Sequence, residues 1–301
     1  MAPVVTSVTE PVLLGEGPHW DQEEQALYFV GVPDYTIEKY VPATGKHTRS
    51  KFEFMPHFII PVEGKKHHFV MDQGRHLLEI DWTGEDGAAR VVRTIAEVDR
   101  DQPTNQFNDA KVDPRGRLFA GTIGPGTALE TLTKSEGSLY RFDADGTAHK
   151  LSTGTKLSNG MCWDLQQKAF YYLDSMVYTI WRYDYDVETG NIANRRDVFS
   201  LKQHGLSGVA DGMTIDTDGN IWFAIFDGSQ VVKFDPRTGK LLEQIPIPAK
   251  EVTSVTFGGP NLDVLYVTSG RMDDAPAPAG AIFAVTGLAA RGHPDVKIKI
   301  N

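Results

Sequence analysis

Four short stretches of this chain begin with a residue able to bind a cation or move a proton. They are Glu16-Gly17-Pro18-His19-Trp20, Asn108-Asp109-Ala110-Lys111-Val112, Asn159-Gly160-Met161-Cys162-Trp163 and Asp211-Gly212-Met213-Thr214-Ile215. Each then runs into an apolar, strand-like segment. Two more stretches share the pattern with different openers, Pro56-His57-Phe58-Ile59-Ile60 and Thr253-Ser254-Val255-Thr256-Phe257. Counting four residues back from Trp20, Ile60, Val112, Trp163, Ile215 and Phe257 lands on Glu16, Pro56, Asn108, Asn159, Asp211 and Thr253. Taken singly, each polar opener reads as a turn or strand-capping residue. As a set in one register they read as a site, because carboxylates and amides gathered in a protein interior need partners. Oxygen ligands suit a hard cation, with Ca²⁺ first and Mg²⁺, Mn²⁺ or Zn²⁺ as alternatives. Such an ion would act on an acyl oxygen as Lewis acid and template, while a carboxylate such as Asp211 accepts a proton from attacking water.

Positioning these openers requires a repeating fold. The six stretches open near residues 16, 56, 108, 159, 211 and 253, a spacing of roughly 40 to 52 residues that matches propeller blades of four strands. Each opener leads through a strand and a turn into a second strand, as in Arg117-Leu118-Phe119-Ala120 or Ile221-Trp222-Phe223-Ala224. Further strands follow, such as Thr179–Asp184 and Gln230–Asp235, punctuated by Asp-Gly, Thr-Gly and Pro-Arg turns. Helical periodicity is almost absent, and Val91–Arg100 is the most helix-tolerant segment. The expected fold is therefore all-β, a six-bladed β-propeller of four-stranded antiparallel blades, as a single domain over residues 1–301. In such a fold the innermost strands line a central channel, so residues of equal register form a ring at one depth.

Composition sets the outer bounds. The chain has 301 residues, of which 41% are hydrophobic and 23% charged, an ordinary globular balance. A formal net charge of −10 argues against a nucleic-acid partner. One cysteine, Cys162, allows no internal disulfide and fits a reducing compartment. No secretory signal is visible and no run reaches transmembrane length, so a cytoplasmic protein without membrane partners is expected, with a small-molecule substrate and a monomeric state.

The motifs Gly15-Glu16-Gly17-Pro18-His19-Trp20, Phe107-Asn108-Asp109, Ser158-Asn159-Gly160 and Ala210-Asp211-Gly212-Met213 resemble those of the regucalcin/senescence marker protein/gluconolactonase family, which includes the luciferin-regenerating enzyme. The likeness continues through Tyr171-Tyr172-Leu173-Asp174-Ser175, Asn194-Arg195-Arg196, Phe257-Gly258-Gly259 and Val285-Thr286-Gly287-Leu288. It implies a six-bladed propeller with a divalent metal on its axis, held by Glu16, Asn159 and Asp211, with Asp211 also the catalytic base. Asn108 would contact the substrate or a water on the metal. The chain departs from the family's lactonases at three places. Gln106 stands where they carry a sugar-binding Arg, Gly126 where they carry a loop Glu, and Gly31 where they carry an Asp. Losing a guanidinium fork weakens recognition of a polyhydroxylated ring, since Gln cannot supply the same fixed donors. The expected activity is hydrolysis of a lactone or related small cyclic ester, shifted away from sugar lactones. A calcium-binding regulatory protein without turnover, or a luciferin-regenerating-enzyme-like protein, is the alternative.

Other reactive side chains read more plainly. His57, beside Pro56, is a candidate for shaping the substrate pocket, with packing as its ordinary role. His19 supports the Glu-Gly-Pro turn, and Asp216-Thr217-Asp218-Gly219-Asn220 is a hairpin turn lacking the closing Glu of a calcium loop. Cys162 belongs to the core, and Asp174-Ser175 is placed to line the channel mouth or to make a turn.

Overall fold

The computed structural model describes residues 2–125, 136–272 and 275–301. A short strand, β1 (Val4–Ser7), precedes the first blade, which comprises β2 (Gly15–Asp21), β3 (Ala26–Gly31), β4 (Thr36–Val41) and β5 (Lys46–Lys51). Blade two comprises β6 (Ile59–Pro61), β7 (His68–Gln73), β8 (His76–Asp81) and β9 (Arg90–Glu97). Blade three follows as β10 (Gln106–Val112), β11 (Leu118–Ile123), β12 (Gly137–Phe142) and β13 (Ala148–Thr155). Blade four is β14 (Ser158–Asp164), β15 (Ala169–Asp174), β16 (Thr179–Tyr185) and β17 (Ile192–Ser200). Blade five is β18 (Val209–Ile215), β19 (Ile221–Phe226), β20 (Gln230–Asp235) and β21 (Lys240–Pro246). Blade six has β22 (Val252–Gly258), β23 (Val264–Ser269) and β24 (Phe283–Thr286), and takes β1 as its outermost strand. The six-bladed all-β propeller is the fold expected from the repeat. Its closure was not foreseen: β1 pairs antiparallel with β24 from Val4 opposite Thr286 to Ser7 opposite Phe283, which ties the start of the chain to its last blade.

Val91–Arg100, helix-tolerant by sequence, instead contributes most of β9, whose partner β8 runs from His76 opposite Glu97 to Asp81 opposite Arg90. An unpaired edge on β8 requires a strand there, and that tertiary demand overrides a weak local preference. The apolar residues gather between blades, with one buried cluster at each of the six interfaces. At the interface of blades four and five, for example, Tyr171, Leu173 and Ile180 meet Met213, Phe223 and Phe234. Aromatic and β-branched residues on both faces of each inner strand are thus consumed by neighbours, which fixes the inner strands around the axis.

The last residues form a strap across the end of the propeller where the inner strands finish. It bridges Gly292 to Asp216 in blade five and Ile298 to Val62 in blade two. Between these points Asp295 accepts from the Trp20 amide (2.9 Å) and the Thr256 hydroxyl (2.6 Å). Beyond them the Lys299 amide donates to Gly116 O and the Asn301 amide to Ala144 O, both in blade three. Ile298 and Ile300 are buried in the interface of blades two and three.

Candidate metal and active site

The openers occupy the opposite end of the inner strands, and contacts link them blade by blade around the axis. Gly17 has φ +54°, and a Cβ there would lie 2.9 Å from the His57 carbonyl oxygen of blade two, so both the left-handed backbone and the close approach require glycine. Phe58 and Phe107 meet edge-on, with centroids 6.1 Å apart, between blades two and three. Asn108 Nδ2 donates to Ser158 O (2.8 Å) and to Asn159 Oδ1 (3.1 Å). A Cβ on Gly160 would stand 2.7 Å from Asp211 O, and one on Gly212 only 1.8 Å from Ser254 Oγ. The Thr253 hydroxyl closes the circle by donating to Gly15 O at 2.6 Å.

A β-bulge helps aim these side chains. In five inner strands the register slips beside the opener: between Glu16 and His19, Phe107 and Ala110, Asn159 and Met161, Ala210 and Met213, and Val252 and Ser254. An extra residue at that point breaks the strict alternation of faces and re-aims the side chains beside it.

Glu16, Asp109 and Asp211 act on one another electrostatically. Burial, followed by the charge of Asp109, pushes the Glu16 carboxyl up to about 8. Burial likewise raises Asp211 well above the ordinary carboxylate range, and the charges of Glu16 and Asp109 raise it further. Asp109 itself is pushed up to about 6 by burial, although Lys111 pulls it down. Three carboxylates that repel each other in a desolvated space favour either protonation or a cation.

The available lone pairs fit a cation. Asp211 Oδ1 is buried with no hydrogen-bond partner. Asn159 Oδ1 accepts one bond from Asn108 and keeps a lone pair free, while its Nδ2 donates to Ser175 Oγ at 2.9 Å. Ser175 in turn donates to Ala210 O at 2.6 Å, fixing which end of the amide faces the axis. Glu16 accepts from the Gly17 amide at 3.2 Å. Among the described residues no cluster of three or more His, Cys, Asp or Glu is gathered for a metal ion. A cation here would therefore rely on the Asn159 oxygen beside the Glu16 and Asp211 carboxylates, a donor set suited to Ca²⁺.

The remaining sequence candidates fall in different places. Thr253, the opener of blade six, uses its hydroxyl to clasp that blade to blade one and lies 2.7 Å from Thr268 Oγ1. Pro56 offers no side-chain donor. His57 is buried beside the ring, its Nδ1 2.7 Å from Asp72 Oδ2 and its amide donating to Asp72 Oδ1 at 2.7 Å. Gln106 opens β10, half-buried, two residues before Asn108. Gly126 lies outside the described residues. Asp109, one residue past the opener Asn108, falls outside the four-residue count; the register slip after Phe107 lies beside it, and its charge acts on Glu16 and Asp211. The sequence left Ser175 undecided, and the structure places it behind Asn159.

Comparison with known proteins agrees with this architecture. Residues 14–271 match the family model described as the SMP-30/Gluconolactonase/LRE-like region. Regucalcin of Gallus gallus is 36% identical over 291 residues, covering 93% of each chain. Regucalcin of Danio rerio is 33% identical, again over 93% of both. Among solved structures, a luciferin-regenerating enzyme superposes with a TM-score of 0.93 at 37% identity, covering 99% of this chain and 100% of that one. A protein of Agrobacterium tumefaciens described as a calcium-binding regucalcin gives 0.86 at 25% identity, covering 98% and 97%.

Proposed function

The chain belongs to the SMP-30/gluconolactonase/LRE-like family, and on that premise we propose that it is a divalent-metal-dependent hydrolase of a lactone or related small cyclic ester. The observation that carries this reading is the buried, unpartnered Asp211 Oδ1 in a ring with Glu16 and Asn159. Glu16, Asn159 and Asp211 would hold the cation, with Ca²⁺ favoured by the all-oxygen set. When bound, the ion supplies Lewis-acid polarisation of the ester carbonyl.

The chain's own groups do the rest. Asp211 takes the proton from the attacking water through a carboxylate oxygen left uncoordinated, since coordination lowers a carboxylate's basicity. Glu16 contributes charge without moving a proton. Asn108 orients Asn159 through its Nδ2, and is the residue that would contact the substrate or a water on the metal. Gln106 in place of an arginine fork directs specificity away from polyhydroxylated lactones, and His57, held by Asp72, shapes the wall of the substrate pocket.

Acid release from a panel of lactones and cyclic esters tests the reading. Turnover should vanish with chelator, return with added divalent metal, and stay absent in Asp211→Ala. A second reading, calcium binding without turnover, draws support from the names of the similar proteins, which are regucalcins and a calcium-binding protein. Metal binding with no hydrolysis across the whole panel would favour it.

A further inference from the structure

At the end of the propeller opposite the carboxylate ring, the C-terminal strap leaves a gap. Its backbone hydrogen bonds and bridges reach blades two, three, five and six, and Asp295 reaches blades one and six. Among the described residues no hydrogen bond joins the strap to blade four. In that gap lies a cavity of about 420 Å³, bounded by blades three, four and five and by residues 293–296 of the strap. This is the size class that takes a small organic molecule. Val112, Trp163, Leu165, Ile215 and Val296 give it apolar walls. Its lining reaches inward to Lys111 and Asp295, which also border a small axial cavity lined by Asp109.

The charges around the cavity do not cancel. Arg237 also lines the cavity; it is anchored by Asp235 (2.6 Å), Asp218 O (3.0 Å) and Asn220 Oδ1 (3.1 Å), and its charge acts on Asp164 as well. Lys111 faces Asp295 at 3.8 Å, and Asp216 is met by Lys233 at 3.0 Å and by the Trp222 indole at 2.9 Å. With Arg237 counted against its ion-pair partner Asp235, two carboxylates remain in excess. Asp164 accepts only the Gln167 amide at 2.9 Å, and Asp218, exposed in the adjoining turn, makes no side-chain bond or ion pair among the described residues. Asp164 Oδ2 lies 3.2 Å and Arg237 Nη1 3.6 Å from the Cβ position of Gly219, so both acids edge the same opening, with the Arg237 guanidinium on its blade-five side.

We infer that this cavity is a second binding site, for a small organic amine. The apolar ring body of the ligand fills the space between blades three, four and five, and its ammonium group sits at Asp164 and Asp218. Charge-assisted hydrogen bonds to those carboxylates give the selectivity, and apolar burial gives the affinity. The site lies at the far end of the inner strands from Asp211 and does not depend on the hydrolase reading.

Calorimetric titration of the full chain with naphthylethylamine, naphthylethanol and naphthylacetate tests the assignment. The amine should bind about 10-fold or more tighter than the isosteric alcohol, with the acid weakest, as expected for a charged hydrogen bond. Asp164→Asn keeps the acceptor for the Gln167 amide and should remove the preference for amine over alcohol while leaving alcohol binding in place. Leu165→Arg, at an exposed position, should weaken all three ligands, and Asp211→Ala should leave amine binding unchanged. Equal affinity for amine and acid, absence of saturable binding, or loss of amine binding in Asp211→Ala would each overturn the inference.

Discussion

Asp211 Oδ1 is a buried acceptor with nothing to accept, and Glu16 and Asp109 raise the cost of ionising the group that carries it. A pH dependence follows. Glu16 holds its proton up to about 8 in the folded, metal-free chain, against 4.5 as its ordinary value. Between those values the folded state binds a proton that the unfolded state has released, so stability falls as pH rises through that window. Thermal unfolding of chelator-treated protein should show the melting temperature dropping from pH 5 to pH 8, and Glu16→Gln should flatten the drop; a melting temperature that rises over this range would contradict the assignment. Gln106 supports a prediction on specificity. Gln106→Arg should lower KM for a sugar lactone about 10-fold, because a planar fork replaces a single amide, and steady-state kinetics on that lactone would measure it. The openers themselves were legible in sequence because one four-residue count located all of them. The fate of Thr253 was not legible, since its partner Gly15 is 238 residues away.

The inner strands place these residues through bulges and a short relay rather than by simple alternation. Ser175, at the end of β15, bonds Asn159 on β14 and Ala210 on β18, so one hydroxyl sets the amide orientation across two blades. Ser175→Ala should weaken metal binding about 10- to 100-fold, as loss of a ligand's supporting hydrogen bond does, while leaving the fold intact by circular dichroism. Gly17→Ala should destabilise the chain by about 1–3 kcal/mol in denaturant titrations, because it places a side chain in a left-handed backbone and against His57 O. The existence and order of the strands were readable from alternation and turn residues. The bulges were not, because each falls among the polar and glycine residues at the opening of its strand, where no apolar alternation marks the register. Val91–Arg100 shows the same limit, its strand state being imposed by the edge of β8.

Six interblade clusters, a strand borrowed from the start of the chain and a strap at its end together hold the ring at fixed width. Neither β1 nor the strap was legible, since both pair with elements remote in sequence and carry no motif. Ile298→Ala, which opens a hole between blades two and three, should cost about 2–5 kcal/mol of stability by chemical denaturation. The central claim is that the carboxylate ring holds a divalent cation through Asp211. Calorimetric titration of chelator-stripped protein with Ca²⁺ tests it most directly. The account predicts saturable binding with release of protons, which Glu16 and Asp211 must surrender, and loss of that binding in Asp211→Ala. Undiminished Ca²⁺ binding by Asp211→Ala, or no binding by the unaltered chain, would contradict it.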